Sequence, residues 1–163
     1  MYRISDGTTT LITKAHNVAS QAAAGTLDTE SYGFSATGAY LLFASTATNL
    51  TANTDANGSF DVFLYDVANG TTTLMSKTPT GDAGTGASEF ANMNLAETKV
   101  VFDSTANDLT ADADNNAGAS DVYLYDLATD SVSLVSKSAT GGTANARSIS
   151  AEISSFFGRY VLF

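Results

Sequence analysis

The chain has 163 residues, 44% of them hydrophobic and 10% aromatic, enough for one domain with a sizeable core and too apolar for a disordered polymer. With 17 acidic residues against 7 basic, its net charge of −10 speaks against nucleic acid as a partner, which calls for basic faces, and favours a solvated surface and cations. Cysteine is absent, which excludes disulfides, thiolate metal sites and cysteine nucleophiles.

No apolar run approaches the roughly 20 residues of a membrane helix, so no membrane insertion is expected. Met1–Asp6 carries no apolar core of a signal peptide. Self-comparison exposes a repeat near sixty residues. Asp61-Val-Phe-Leu-Tyr-Asp66 matches Asp121-Val-Tyr-Leu-Tyr-Asp126, and Leu74-Met-Ser-Lys77 matches Leu134-Val-Ser-Lys137. Upstream, Phe43-Ala-Ser-Thr-Ala-Thr-Asn-Leu50 matches Phe102-Asp-Ser-Thr-Ala-Asn-Asp-Leu109, one residue out of phase. That extra residue falls in an acidic loop, where insertion costs least.

Taken in order, Tyr2–Ser5 and Thr9–Ile12 read as the third and fourth strands of a broken unit (1–14). Ala22–Ala24 offers a single turn of helix, interrupted by Gly25. The first complete unit (30–77) has strands at 32–35, 40–43, 61–65 and 72–75; the second (87–137) has them at 87–94, 99–102, 121–125 and 132–135. β-Branched and aromatic residues fill these runs, and Gly, Asn, Asp and Ser fill the gaps. Ser148–Ile153 and Tyr160–Phe163 supply the first and second strands of a last, broken unit (146–163). The expected fold is all-β: two complete four-stranded antiparallel blades flanked by two complementary half-blades.

The motifs Phe43-Ala-Ser-x-Ala-x-Asn-Leu50, Asp55-x-Asn-Gly58, Asp61-Val-Phe-Leu-Tyr-Asp66 with Gly70, and Gly158-Arg-Tyr-Val-Leu-Phe163 resemble the TolB-like, WD-like bacterial β-propeller repeats. The resemblance spans nearly the whole chain and implies a propeller, which needs about 4–8 blades. It departs at the turn before the second strand, where the usual Asp-Gly is Thr37-Gly38, Glu97-Thr98 and Phe157-Gly158. Three blade equivalents make too tight a ring. The chain therefore reads as part of a longer propeller, or as half of a homodimer in which each terminal half-blade completes the other's. The sequence does not separate the two.

Between the second and third strands lies an acidic loop. Asn53, Asp55 and Asn57 place side-chain oxygens at alternate positions, Gly58 permits a sharp turn, and Asp61 returns a carboxylate. An all-oxygen set of this kind suits Ca2+, with a backbone carbonyl near Ser59 as an extra ligand. The pattern resembles the D-x-D-x-D-G-x-x-D loops of integrin-type propellers. An EF-hand is rejected, because its twelfth position is Leu64 and strands flank the loop. Two carboxylates imply weak binding, in the range of extracellular modules. The second loop offers Asp112, Asp114, Asn116 and Asp121, although alignment back from Gly118 would substitute Asn115 and Ala117. Plain hairpin loops use the same residues to cap backbone groups.

His16, the only histidine, reads as a surface loop residue; no nucleophile elbow accompanies it. Glu89 or Glu152 could serve glycoside chemistry at a central channel, though nothing fixes their separation. Tyr65, Tyr123 and Tyr125 read as packing between blades, and Lys77 and Lys137 as solvated strand-end charges. The expected function is non-enzymatic: a calcium-stabilised binding or scaffold module of a secreted, periplasmic or cell-surface protein, with a protein or surface glycan as partner. The alternative is part of a propeller hydrolase or lyase.

Overall fold

The computed structural model describes residues 1–16, 28–116 and 118–163. Ala22–Ala24 and Ala117 lie outside them. The described residues form β-strands and no helix: β1 (Tyr2–Arg3), β2 (Thr8–Thr9), β3 (Thr29–Phe34), β4 (Tyr40–Ser45), β5 (Asp61–Asp66), β6 (Thr71–Leu74), β7 (Ser88–Met93), β8 (Lys99–Ser104), β9 (Asp121–Asp126), β10 (Ser131–Leu134), β11 (Glu152–Ile153) and β12 (Val161–Leu162). They build two four-stranded antiparallel sheets, β3-β4-β5-β6 and β7-β8-β9-β10, and two hairpins, β1-β2 and β11-β12. The all-β expectation and the four-stranded units hold.

Several strand ends differ from the sequence reading; β1 stops at Arg3 and β2 at Thr9, short of the expected Ser5 and Ile12, and two further differences have a clear cause. β3 begins at Thr29, earlier than the apolar pattern suggested, because backbone pairing with β4 orders Thr29–Ser31 without any apolar alternation. Conversely, 148–151 is not strand, and Ser150 sits in the left-handed region at φ 60°. Its equivalent Phe90 has φ 55°, beside the register shift between Glu89 and Asn92 in β7. A bulge at this point re-aims the side chains of the edge strand β7.

Side-chain alternation divides the core. On β4 and β5, Leu42, Val62 and Leu64 face the second sheet, while Phe43, Phe63 and Tyr65 face the β1-β2 hairpin and its Ile12. On β8 and β9, Val100, Phe102, Tyr123 and Tyr125 face the first sheet, while Val101 and Val122 pack on Ala151 and Ile153 beside the β11-β12 hairpin. The order is hairpin, sheet, sheet, hairpin, so the central strands of each complete sheet are buried on both faces, while β3 carries no buried residue. Near-continuous apolar strands such as Val62-Phe-Leu-Tyr65 follow from that, since no face is left for polar residues. Phe43 stacks on Phe63 at 5.5 Å and Phe102 on Tyr123 at 5.9 Å, at equivalent positions of the two sheets.

Polar contacts fix neighbouring layers. The Thr37 amide and hydroxyl both donate to Glu97 Oε1, each at 2.7 Å, and the Phe90 amide donates to the Tyr32 hydroxyl at 3.0 Å. Lys77 departs from its expected role. Its side chain is only 15% exposed, meets Asp130 at 2.6 Å and lies over the Tyr125 ring at 5.6 Å, because it crosses from one sheet to the next. Lys137 is half-exposed and pairs with Asp112 in its own sheet.

Candidate metal centre

The acidic loops join β4 to β5 and β8 to β9. Asp61 opens β5 and is fully enclosed, with 0% of its surface exposed. Its Oδ1 accepts the Ser76 hydroxyl at 2.7 Å, and that hydroxyl oxygen accepts the Val62 amide at 3.1 Å. Its Oδ2 accepts Asn57 Nδ2 at 3.0 Å. Burial pushes the Asp61 carboxyl up to about 7, and the charges of Asp55 and Asp108 add to this while the Ser76 and Asn57 hydrogen bonds oppose it.

Asp55 accepts the Asn57 amide on Oδ1 at 3.4 Å, while its Oδ2 is buried with no hydrogen-bond partner. Burial raises its carboxyl as well. Asn57 turns the loop: Gly58 follows at φ 63°, and Asn57 Oδ1 accepts the Ser59 amide at 2.7 Å. The Asn57 amino group lies between two acceptors, Asp61 Oδ2 and, at 2.6 Å, the Gly84 carbonyl. Asn53 points elsewhere, its Nδ2 donating to the Gly81 carbonyl at 2.6 Å. The structure thus brings together Asp55, Asn57, Asp61 and the Gly84 carbonyl, while Asn53 ties the loop to the following turn.

The second loop repeats this arrangement and settles its alignment. The Thr143 amide donates to the Ala113 carbonyl at 2.9 Å, as the Ala83 amide does to the Thr54 carbonyl at 2.9 Å. Asp114 and Asn116 therefore stand where Asp55 and Asn57 do, and the extra residue falls between Asn116 and Asp121. Asp121 accepts Ser136 Oγ and Asn116 Nδ2, both at 2.9 Å, and burial raises its carboxyl. Asp114 spends both oxygens on backbone amides, of Asn116 and Gly118. Asp112 is taken up by Lys137 Nζ at 3.0 Å and Thr110 Oγ1 at 3.1 Å. Asn116 Oδ1 is buried without a partner.

Among the described residues no group of three or more His, Asp or Glu side chains is placed to hold a metal ion. A cation at either loop would draw on two carboxylates, with amide and backbone oxygens completing the set. The first loop fits better. The Asn57 amino group, held between Asp61 Oδ2 and the Gly84 carbonyl, fills the place that a cation would take between these two oxygens. Asp55 Oδ2 is the orphaned buried atom that a cation would satisfy. Such all-oxygen donors suit Ca2+.

Ser76 and Ser136, the buried supports of Asp61 and Asp121, were not among the expected site residues; their signal is the Ser-Lys pair repeated in phase. His16 is exposed, with its amide on the Asn49 carbonyl. Glu89 lies opposite Asp103 on the β7-β8 ladder, and both line a cleft of about 270 Å³ with Arg147. Glu152 is exposed on β11. No protein-family model matches the chain, and no curated protein matches it either.

Proposed function

We propose that the chain is a calcium-stabilised, non-enzymatic β-propeller segment of the TolB-like kind, acting as a binding or scaffold module of an exported or cell-surface protein. The propeller reading draws support from successive antiparallel sheets in phase with the sequence repeat, the central strands of each complete one buried on both faces. The observation that carries the calcium reading is the pairing of buried Asp61 with the partnerless Asp55 Oδ2, with an amino group lodged between Asp61 and the Gly84 carbonyl. A side-chain amino group in that position stands in for a cation. With two carboxylates the affinity is weak, about 10⁻⁴–10⁻³ M, which suits calcium-rich secreted, periplasmic or surface settings. The partner would be a protein or a surface glycan met by the rim loops.

Thermal unfolding in chelator and in calcium tests the metal. Calcium raises the melting temperature of the wild-type protein, and Asp55→Ala abolishes the rise. Asp112→Ala leaves it in place, because Asp112 is committed to Lys137. An identical melt with calcium and with chelator would sink the reading. The rival, a channel hydrolase or lyase, is favoured by the Glu89–Asp103 cleft, where Asp103 Oδ1 is buried without a partner.

A further inference from the structure

Asparagine followed by glycine occurs twice in the sequence, at Asn57-Gly58 and at Asn69-Gly70. The pair is chemically labile, because a residue without a side chain leaves its nitrogen open to attack the carboxamide carbon before it. Both pairs belong to the first sheet. One lies in the acidic loop before β5 and the other in the turn from β5 to β6. The second sheet has neither: Asn116 is followed by Ala117, and Thr129-Asp130 stands where Asn69-Gly70 does.

The fold treats the two pairs differently. The Gly70 amide donates to the Asp66 carbonyl at 2.9 Å, and no described donor reaches Asn69 Oδ1, whose Nδ2 donates to Asp66 Oδ2 at 2.8 Å. The Gly58 amide has no acceptor among the described residues. The Ser59 amide donates to Asn57 Oδ1 at 2.7 Å, which folds the carboxamide along the chain past Gly58. Negative charge gathers on Oδ1 when the carboxamide carbon is attacked, so this donor acts there as an oxyanion hole does in acyl transfer. Asn57 Nδ2 is held by Asp61 Oδ2 and the Gly84 carbonyl, so the carboxamide does not lose the Ser59 bond by rotating. Space is free as well: Gly58 is exposed, and a side chain added there would meet nothing within 4 Å.

We infer that Asn57 is a self-modifying residue, converted on the folded chain to aspartate or isoaspartate. The Gly58 nitrogen bonds to Asn57 Cγ and gives its proton to water. The Cγ–Nδ2 bond breaks, and Nδ2 takes a proton from water and leaves as ammonia. A five-membered cyclic imide results, and water opens it. Cleavage at the side-chain carbonyl gives aspartate; cleavage at the main-chain carbonyl gives isoaspartate. One water is consumed and one ammonia released, with no change of oxidation state. A carboxylate at position 57 removes the donor between Asp61 Oδ2 and the Gly84 carbonyl and puts a third negative charge beside Asp55 and Asp61. The metal-free loop then loosens, and its demand for a cation rises. That consequence rests on the calcium reading; the reaction does not.

The whole chain is incubated in chelator at mildly alkaline pH, once folded and once in urea. Peptide mass spectrometry follows each asparagine through its gain of about one dalton. In urea the two pairs should react alike. In the folded chain Asn57 should outpace Asn69 by about tenfold or more, because breaking the Gly70 amide bond alone slows Asn69 by up to about tenfold. Equal rates in the folded chain, a faster Asn69, or the same ratio folded as in urea would overturn the inference. Asn57→Asp supplies the aspartate product directly. It should melt below wild type in chelator and gain more than wild type from calcium. The absence of any larger gain would remove the calcium reading and leave the modification standing.

Discussion

Asp61→Asn in metal-free protein isolates the cost of enclosing one carboxylate. Asp61 titrates at 3.8 when unperturbed and at about 7 in the folded chain, so the folded state holds this proton more tightly than the unfolded state. Between those values the native protein binds more protons, and stability falls as pH rises through the window. The stabilisation is complete below about pH 4 and gone above about pH 7; the difference amounts to about 4 kcal/mol. For a chain of this length that is about 8–16 °C in melting temperature.

The variant keeps an acceptor for Ser76 but loses the acceptor for the Asn57 amino group, a loss of about 1–3 kcal/mol at every pH. In chelator, Asp61→Asn is therefore less stable than wild type near pH 4 and more stable near pH 8. Urea unfolding followed by circular dichroism across this range should show the two curves crossing. Burial also raises Asp55, Asp103 and Asp121, while Asp126 and Asp130 are lowered by Lys99 and Lys77, so only the difference between the two proteins reports Asp61. On the proposed calcium reading, the ion at about 100 times its dissociation constant should add about 2.7 kcal/mol to wild type and nothing to the variant. Parallel curves for the two proteins would refute the account of Asp61.

Two further substitutions probe the layers. Phe102→Ala removes a fully buried ring from between the two sheets and costs about 3–5 kcal/mol in chemical denaturation; a loss under about 1 kcal/mol would mean that the sheets do not pack as described. Gly86→Ala would drive a Cβ to 2.6 Å from the Ala106 nitrogen and the Thr105 carbonyl carbon, backbone atoms that cannot swing aside. It should cost about 1–3 kcal/mol, whereas Gly38→Ala, with nothing within 4 Å, registers only its backbone strain.

The strands were legible because pairing and burial both write themselves in the side chains: Asp61–Asp66 and Asp121–Asp126 came within a residue of their observed ends. Thr29–Ser31 was not legible, since its order comes from β4 and not from its own composition. The second loop admitted two alignments because its Asn is doubled and it has one extra residue before Asp121. The Thr143–Ala113 hydrogen bond and the Asn116–Asp121 contact separate them. Lys77 misled because a lysine at a strand end resembles any solvated lysine until the neighbouring sheet brings Asp130 and Tyr125. Asp103 left no trace at all. It stands where the first sheet has Ala44, so the repeat contains no hint that its carboxylate would hold the Ser150 amide at 2.7 Å.

β5 and β9 read Asp-Val-Phe-Leu-Tyr-Asp and Asp-Val-Tyr-Leu-Tyr-Asp, so the two strands at the middle of the protein differ by a single oxygen. That oxygen, the Tyr123 hydroxyl, donates to the Ala106 carbonyl at 3.1 Å inside the second sheet. During folding, either strand can offer the other sheet nearly the same ladder and the same apolar faces. The buried hydroxyl discriminates by no more than about 1–3 kcal/mol. Correct assembly then depends on chain connectivity and loop length, and a refolding protein at high concentration should trap β5 and β9 in each other's places, within one molecule or between two.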